Sequence, residues 1–162
     1  MLTISRDLVD AIVAHARRDH PDEACGIVAG AAGSDTPTRH VPMLNAERSP
    51  TFYRFDSMEQ LRVWREMDDR DEEPVVIYHS HTATEAYPSR TDTSLAGEPR
   101  AHYMLVSTRD PEQDEIRSYR IVDGSVTEEP VRVIDAKVDP AAVTTYMFGQ
   151  NQAQVDYECS AG

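Results

Sequence analysis

Residues 74–92 read PVVIYHSHTATEAYPSRTD, and the first half of this run narrows the possible folds more than any other stretch. Its continuous apolar character fits a central strand covered on both faces, because a strand with one wet face alternates apolar and polar residues. The strand ends in His79 and His81. Side chains on an extended segment alternate between faces, so imidazoles two apart point the same way and share one point in space. Asp92, after a loop from Thr82 to Thr91, supplies a third ligand. Two imidazoles and a carboxylate suit zinc, and three protein ligands leave a fourth position open, which marks catalytic rather than structural sites. Ser89 and Asp92 have the S-x-x-D spacing of a helix start, which orients both side chains toward one point and predicts a short helix to about Gly97.

The remaining pattern is that of one mixed α/β domain. Ser5 is placed to cap a helix whose Leu8, Val9, Ile12, Val13 and Ala16 share a face, ending near His20-Pro21. CGIVAG reads as a buried strand beginning at Cys25, with Asp22 and Glu23 at its start. Arg39 to Asn45 and Thr51 to Phe55 alternate as strands do, and Pro42 makes the first an edge or an irregular stretch. Asp56 caps a second helix to about Arg70, with Glu59 three residues on and a Met58, Leu61, Trp64, Met67 stripe read as core. Tyr103 to Ser107 is a further strand. EIRSYRIV and SVTEEPVRVI form a hairpin turning at Asp123-Gly124. After Ile134 the pattern becomes polar and aperiodic, so residues 1–134 are expected to form the domain and 135–162 an irregular tail, within which Val143, Tyr146, Met147 and Phe148 make a local apolar cluster.

Composition limits the partners. The 162 residues suit one domain, large enough to bury roughly two thirds of its unfolded surface. With 16 basic and 29 acidic residues the net charge is −13, and no basic cluster is present to neutralise phosphates, which argues against nucleic acid and anionic membranes. The first twenty residues carry charges among their apolar positions, unlike a signal peptide, and the chain reads as cytoplasmic. Cys25 and Cys159 give no disulfide framework. Cys25 reads as a small buried hydrophobe rather than a nucleophile, and His15, His20, His40 and His102 as surface or packing residues.

HSH(x)7SxxD, preceded by an apolar strand and by the E-x-C-G of Glu23 to Gly26, resembles the JAMM metalloprotease family, also called MPN+. The resemblance covers about residues 1–134. It implies a single mixed-sheet domain of the cytidine-deaminase-like kind with two main helices packed on it, and an enzyme holding Zn2+ through His79, His81 and Asp92. It further implies Glu23 as general base and then acid, with Asp22 as the alternative carboxylate, and Ser89 as a hydrogen-bond donor to the developing oxyanion. Many relatives have Pro after the second histidine, where this chain has Thr82. Within the family the chain is most similar to stand-alone peptidases whose substrate is a ubiquitin-like sulfur carrier protein with cysteine joined to its C-terminal Gly-Gly, a step of cysteine biosynthesis. A deubiquitinase-like isopeptidase and a non-catalytic scaffold module are the alternatives, and a homodimer is left open. A zinc deaminase would need H-x-E and P-C-x-x-C, and neither occurs.

Overall fold

Among residues 1–136 and 156–158, which the computed structural model describes, the chain opens with a strand. β1 (Leu2–Ser5) runs straight into α1 (Arg6–Asp19), and Ser5 serves as the expected cap, its side chain accepting from the Leu8 N–H. The helix buries Leu8, Val9, Ile12, Val13 and Ala16 and ends at His20 before a cis His20-Pro21 bond. β2 (Cys25–Ala31), β3 (Arg39–Met43), α2 (Ser57–Asp69), β4 (Glu72–His81), α3 (Arg90–Leu95), β5 (His102–Asp110), β6 (Gln113–Val122), β7 (Ser125–Glu129) and β8 (Val131–Ile134) follow.

Six strands form one mixed sheet in the order β3-β2-β4-β5-β6-β7. β4 and β5 are parallel and the other neighbours antiparallel. β4 therefore sits inside the sheet, buried from Val75 to His81, as its unbroken apolar run requires. β3 is an edge, which accommodates Pro42 without a lost ladder bond in mid-sheet. The turn at Asp123-Gly124 has φ of 50° and 75°, the left-handed pair that a two-residue hairpin needs.

Alternation along the strands divides the core into two layers. Val76, Tyr78, Met104 and Val106 pack with Leu8, Ile12 and Ala16 of α1. Ile77, Tyr103 and Leu105 face the other way and pack with Val63 and Met67 of α2. Each fully buried aliphatic side chain in these layers contributes about 1.5–3 kcal/mol relative to exposure. Gly26 is required by this packing, because a Cβ there would collide with the Tyr78 hydroxyl.

Four expectations change. β1, not expected, has only the four-residue alternation Leu2, Thr3, Ile4, Ser5 to mark it, and it pairs in parallel with β8, Leu2 opposite Val131. Thr51–Phe55 is not a strand. Only an isolated bridge joins Asn45 to Phe55, and the aromatic side chains of this segment serve the site described below. SVTEEPVRVI is two strands, because Pro130 lies between them and β8 leaves the large sheet to join β1. On α2 the buried side chains are Val63 and Met67, while Met58 and Leu61 are 74% and 45% exposed, so the core-facing stripe is displaced from the one expected. In the tail, β9 (Asp156–Glu158) pairs in parallel with β8. The Val143, Tyr146, Met147, Phe148 cluster and Cys159 lie outside the described residues. No helix among the described residues is long and apolar enough to cross a membrane.

Candidate metal centre

β4 delivers His79 and His81 from its C-terminal end to the α2 side of the sheet, where ligands commonly bind beside parallel strands. α3 delivers Asp92. Its start is fixed by a reciprocal capping box, with Ser89 Oγ accepting from Asp92 N–H at 3.1 Å and Asp92 Oδ2 accepting from Ser89 N–H at 2.7 Å. The same Oδ2 lies 3.3 Å from His79 Nε2 and 3.3 Å from His81 Nε2, and the two Nε2 atoms are 3.2 Å apart.

This near-equilateral triangle is poorly explained by hydrogen bonds. Its edges are longer than the usual N–H···O distance of about 2.9 Å, and one proton cannot lie along three edges. It fits a metal well. A tetrahedral ion with bonds of about 2.0–2.1 Å separates its ligand atoms by about 3.3–3.4 Å. The second nitrogen of His81 agrees: its Nδ1 donates to Glu85 O at 2.9 Å, which leaves its Nε2 lone pair facing the triangle. His79 Nδ1 is buried and has no hydrogen-bond partner among the described residues, and the ring is held by stacking on Tyr53, centroids 4.4 Å apart. These three residues are the group of ligating side chains that converges among the described residues.

Electrostatics point the same way for His79 and Asp92, and the opposite way for His81. Burial lowers His79, favouring the neutral imidazole a metal requires. For Asp92, burial opposes ionisation, but the His79 and His81 side chains and the Ser89 N–H outweigh it and hold the carboxyl well below its ordinary value. His81 also loses solvation, yet Asp92, the Glu85 carbonyl and Glu23 raise it.

Glu23 reaches the centre through sheet register. β2 and β4 pair with Cys25 opposite His79, and just beyond that pair the Ser80 N–H donates to Ala24 O at 3.0 Å while the Ala24 N–H donates to the Ser80 hydroxyl oxygen at 2.8 Å. One further step puts Glu23 opposite His81. Its side chain is buried, and burial together with the Asp92 charge pushes its carboxyl up to about 7, against the lowering pull of His81. Asp22 is more exposed, and its N–H closes a turn on Asp19. Ser89 is exposed; its oxygen accepts from Asp92, so its proton remains available to donate. Cys25 is buried, its thiol pushed up chiefly by burial, and it contributes no thiolate.

A cleft of about 290 Å³ opens beside Asp92, walled by Tyr53, Phe55, Trp64, Leu95 and Tyr103. Sequence reasoning missed most of this wall. Trp64 was expected in the core, and Tyr53 and Phe55 in a strand. Asn45 was also missed: its Nδ2 donates to Glu23 O and to Phe52 O, both at 3.0 Å, holding the segment that carries Tyr53 against the residue that carries the buried carboxyl. The aromatic density of TFYRF is the one signal that marked this segment.

Residues 5–122 match the family model of prokaryotic homologs of the JAB domain. The chain is 75% identical over 135 residues to the CysO-cysteine peptidase of Mycobacterium tuberculosis, covering 83% of this chain and 92% of that protein. It is 32% identical over 111 residues to the desampylase of Haloferax volcanii, covering 65% of this chain and 80% of that one. A Desulfitobacterium hafniense protein solved in solution superposes with a TM-score of 0.72 at 31% identity, over 86% of this chain and 94% of that one.

Proposed function

The chain belongs to the family of prokaryotic homologs of the JAB domain, and we propose that it is a zinc peptidase cleaving the amide between the C-terminal Gly-Gly of a ubiquitin-like sulfur carrier and cysteine. The observation that carries this reading is the 75% identity to a CysO-cysteine peptidase over nearly that protein's whole length. The catalytic domain in this reading is residues 1–134, with 135–162 appended.

His79, His81 and Asp92 would hold the zinc. When bound, the ion supplies Lewis acidity that brings the pKa of water toward about 7 and polarises a carbonyl. The chain's own residues do the rest. Glu23, buried and poised near neutrality, takes the proton of the attacking water and passes it to the leaving amine of cysteine, so that the C–N bond breaks toward a neutral amino group. Water supplies the hydroxyl of the new carboxyl on the carrier. The Ser89 hydroxyl donates to the carbonyl oxygen as negative charge gathers there, an effect typically worth about 3 kcal/mol. The aromatic cleft beside Asp92 takes the carrier's extended tail, and glycine at its end permits close backbone approach.

The likeness to a desampylase supports a second reading, an isopeptidase acting on lysine conjugates of a ubiquitin-like protein. Side-by-side incubation of the zinc-loaded chain with a Gly-Gly-Cys-terminated carrier and with a Gly-Gly-lysine isopeptide of the same carrier separates the two. Faster release of cysteine is expected. Faster release from lysine would install the isopeptidase reading instead.

A further inference from the structure

The loop between β3 and α2 holds the centre from several directions. Ser49 O accepts from the Glu23 N–H at 2.9 Å, Asn45 binds the Glu23 carbonyl, and the Tyr53 ring stacks on His79. A further tie comes from the strand end itself: Thr82, directly after His81, donates its hydroxyl to Pro50 O at 2.9 Å. Among the described residues this is the one side-chain hydrogen bond between the segment following β4 and that loop.

We propose that Thr82 is a positioning residue for the reaction, its hydroxyl docking the 45–55 loop over the ligand-bearing end of β4 so that Glu23 and the His79 ring keep their places. The loop needs such a tie. It forms no strand, only the isolated Asn45–Phe55 bridge. Arg48, next to Ser49, has φ of 43°, a left-handed conformation that non-glycine residues disfavour, so the local preference of the chain opposes the docked form. Bonds within the loop, Asn45 Nδ2 to Phe52 O and the Ala46 N–H to Arg54 O, keep its shape, but bonds from outside it are needed to hold it against the end of β4. One neutral hydrogen bond biases a docked-to-undocked equilibrium by about fivefold, too little to decide folding and enough to alter how often the base is in place.

This inference rests on the peptidase reading above, and the test separates the two. Thr82→Val keeps the shape of the side chain and removes the donor, while Thr82→Ser keeps the donor. Each is prepared as the full zinc-loaded chain and compared with wild type on a Gly-Gly-Cys-terminated carrier. The expected result is a lower kcat in Thr82→Val, by up to about fivefold. Zinc per chain and thermal midpoint stay unchanged, and kcat is restored in Thr82→Ser. Trp64 is the single tryptophan and touches the loop through Phe55, ring centroids 6.2 Å apart, so its emission should shift in the Val variant and not in the Ser variant. Wild-type kcat and emission in Thr82→Val would overturn the assignment. So would a loss that Ser does not restore, or a loss that tracks falling zinc content. A wild-type chain that leaves the adduct intact would count against the peptidase reading alone, and the Trp64 comparison would still decide whether Thr82 docks the loop.

Discussion

Tyr78 and His79 are neighbours on β4, yet they serve two buried polar clusters on opposite sides of the sheet. On the α1 side the Tyr78 hydroxyl lies 2.6 Å from His15 Nδ1 and 2.8 Å from His40 Nε2, and His15 Nε2 lies 3.1 Å from Asp19. On the α2 side His79 and His81 face Asp92. All four imidazoles are buried. In the first cluster, nitrogens meet a hydroxyl between them and the layer is sealed by Leu8, Ile12 and Met104. In the second, three ligating atoms converge on one point beside a cleft. Burial of histidine is thus common to packing and chemistry, and convergence with access is what separates them.

The comparison breaks most sharply at Asp92. Asp92→Ala removes both a proposed ligand and the acceptor of the Ser89 N–H, so zinc content and cleavage are expected to vanish together. Stoichiometric zinc in the purified variant, measured by elemental analysis, would take Asp92 out of the ligand set. Glu23→Gln keeps size and removes the proposed base. Zinc should remain while turnover falls at least about a hundredfold, and near-normal turnover would move the role to Asp22 or to solvent.

On the sealed side the same kind of deletion should cost stability instead. Tyr78→Phe strips two buried imidazoles of a hydroxyl partner and is expected to destabilise the fold by about 1–3 kcal/mol in chemical denaturation, with turnover per folded molecule unchanged. A large kcat loss with full stability would show that the two clusters communicate.

The smallest effect is in pH. Burial lowers His15 to about 4, with Asp19 pulling the other way, and burial with the nearby His15 lowers His40 to about 3. Both are neutral in the folded chain where they would be charged in the unfolded one, so protons bind the unfolded state more tightly. Their contribution is present above the unfolded value of about 6.5 and is lost as pH falls from there toward 4 and 3. Thermal midpoints between pH 7 and 4 should fall more steeply in wild type than in His40→Gln. Equal slopes would contradict this.

Much of the site was legible because its parts are local. An apolar run with imidazoles two apart specifies a central strand and a shared direction, and S-x-x-D specifies the helix start that aims Asp92. What stayed illegible depends on distant pairing. Nothing near Glu23 reveals that β2 runs antiparallel to β4 with Cys25 opposite His79, the register that carries its carboxyl to the centre. The alternation of Leu2, Thr3, Ile4 and Ser5 is too short to show a partner, and the place of β1 is visible only once β8, beyond Pro130, is known to lie beside it. The 51–55 segment misled because its alternation serves ring contacts, Tyr53 on His79 and Phe55 on Trp64, rather than a ladder.

The most direct test of the central claim is intact-mass spectrometry of a carrier ending in Gly-Gly-Cys, incubated with the zinc-loaded chain and with the same chain stripped by a chelator. The account predicts loss of one cysteine residue from the carrier with the loaded chain, none with the stripped chain, and recovery when zinc is returned. An adduct left intact by the zinc-loaded chain, or cleaved equally well by the stripped one, would contradict it.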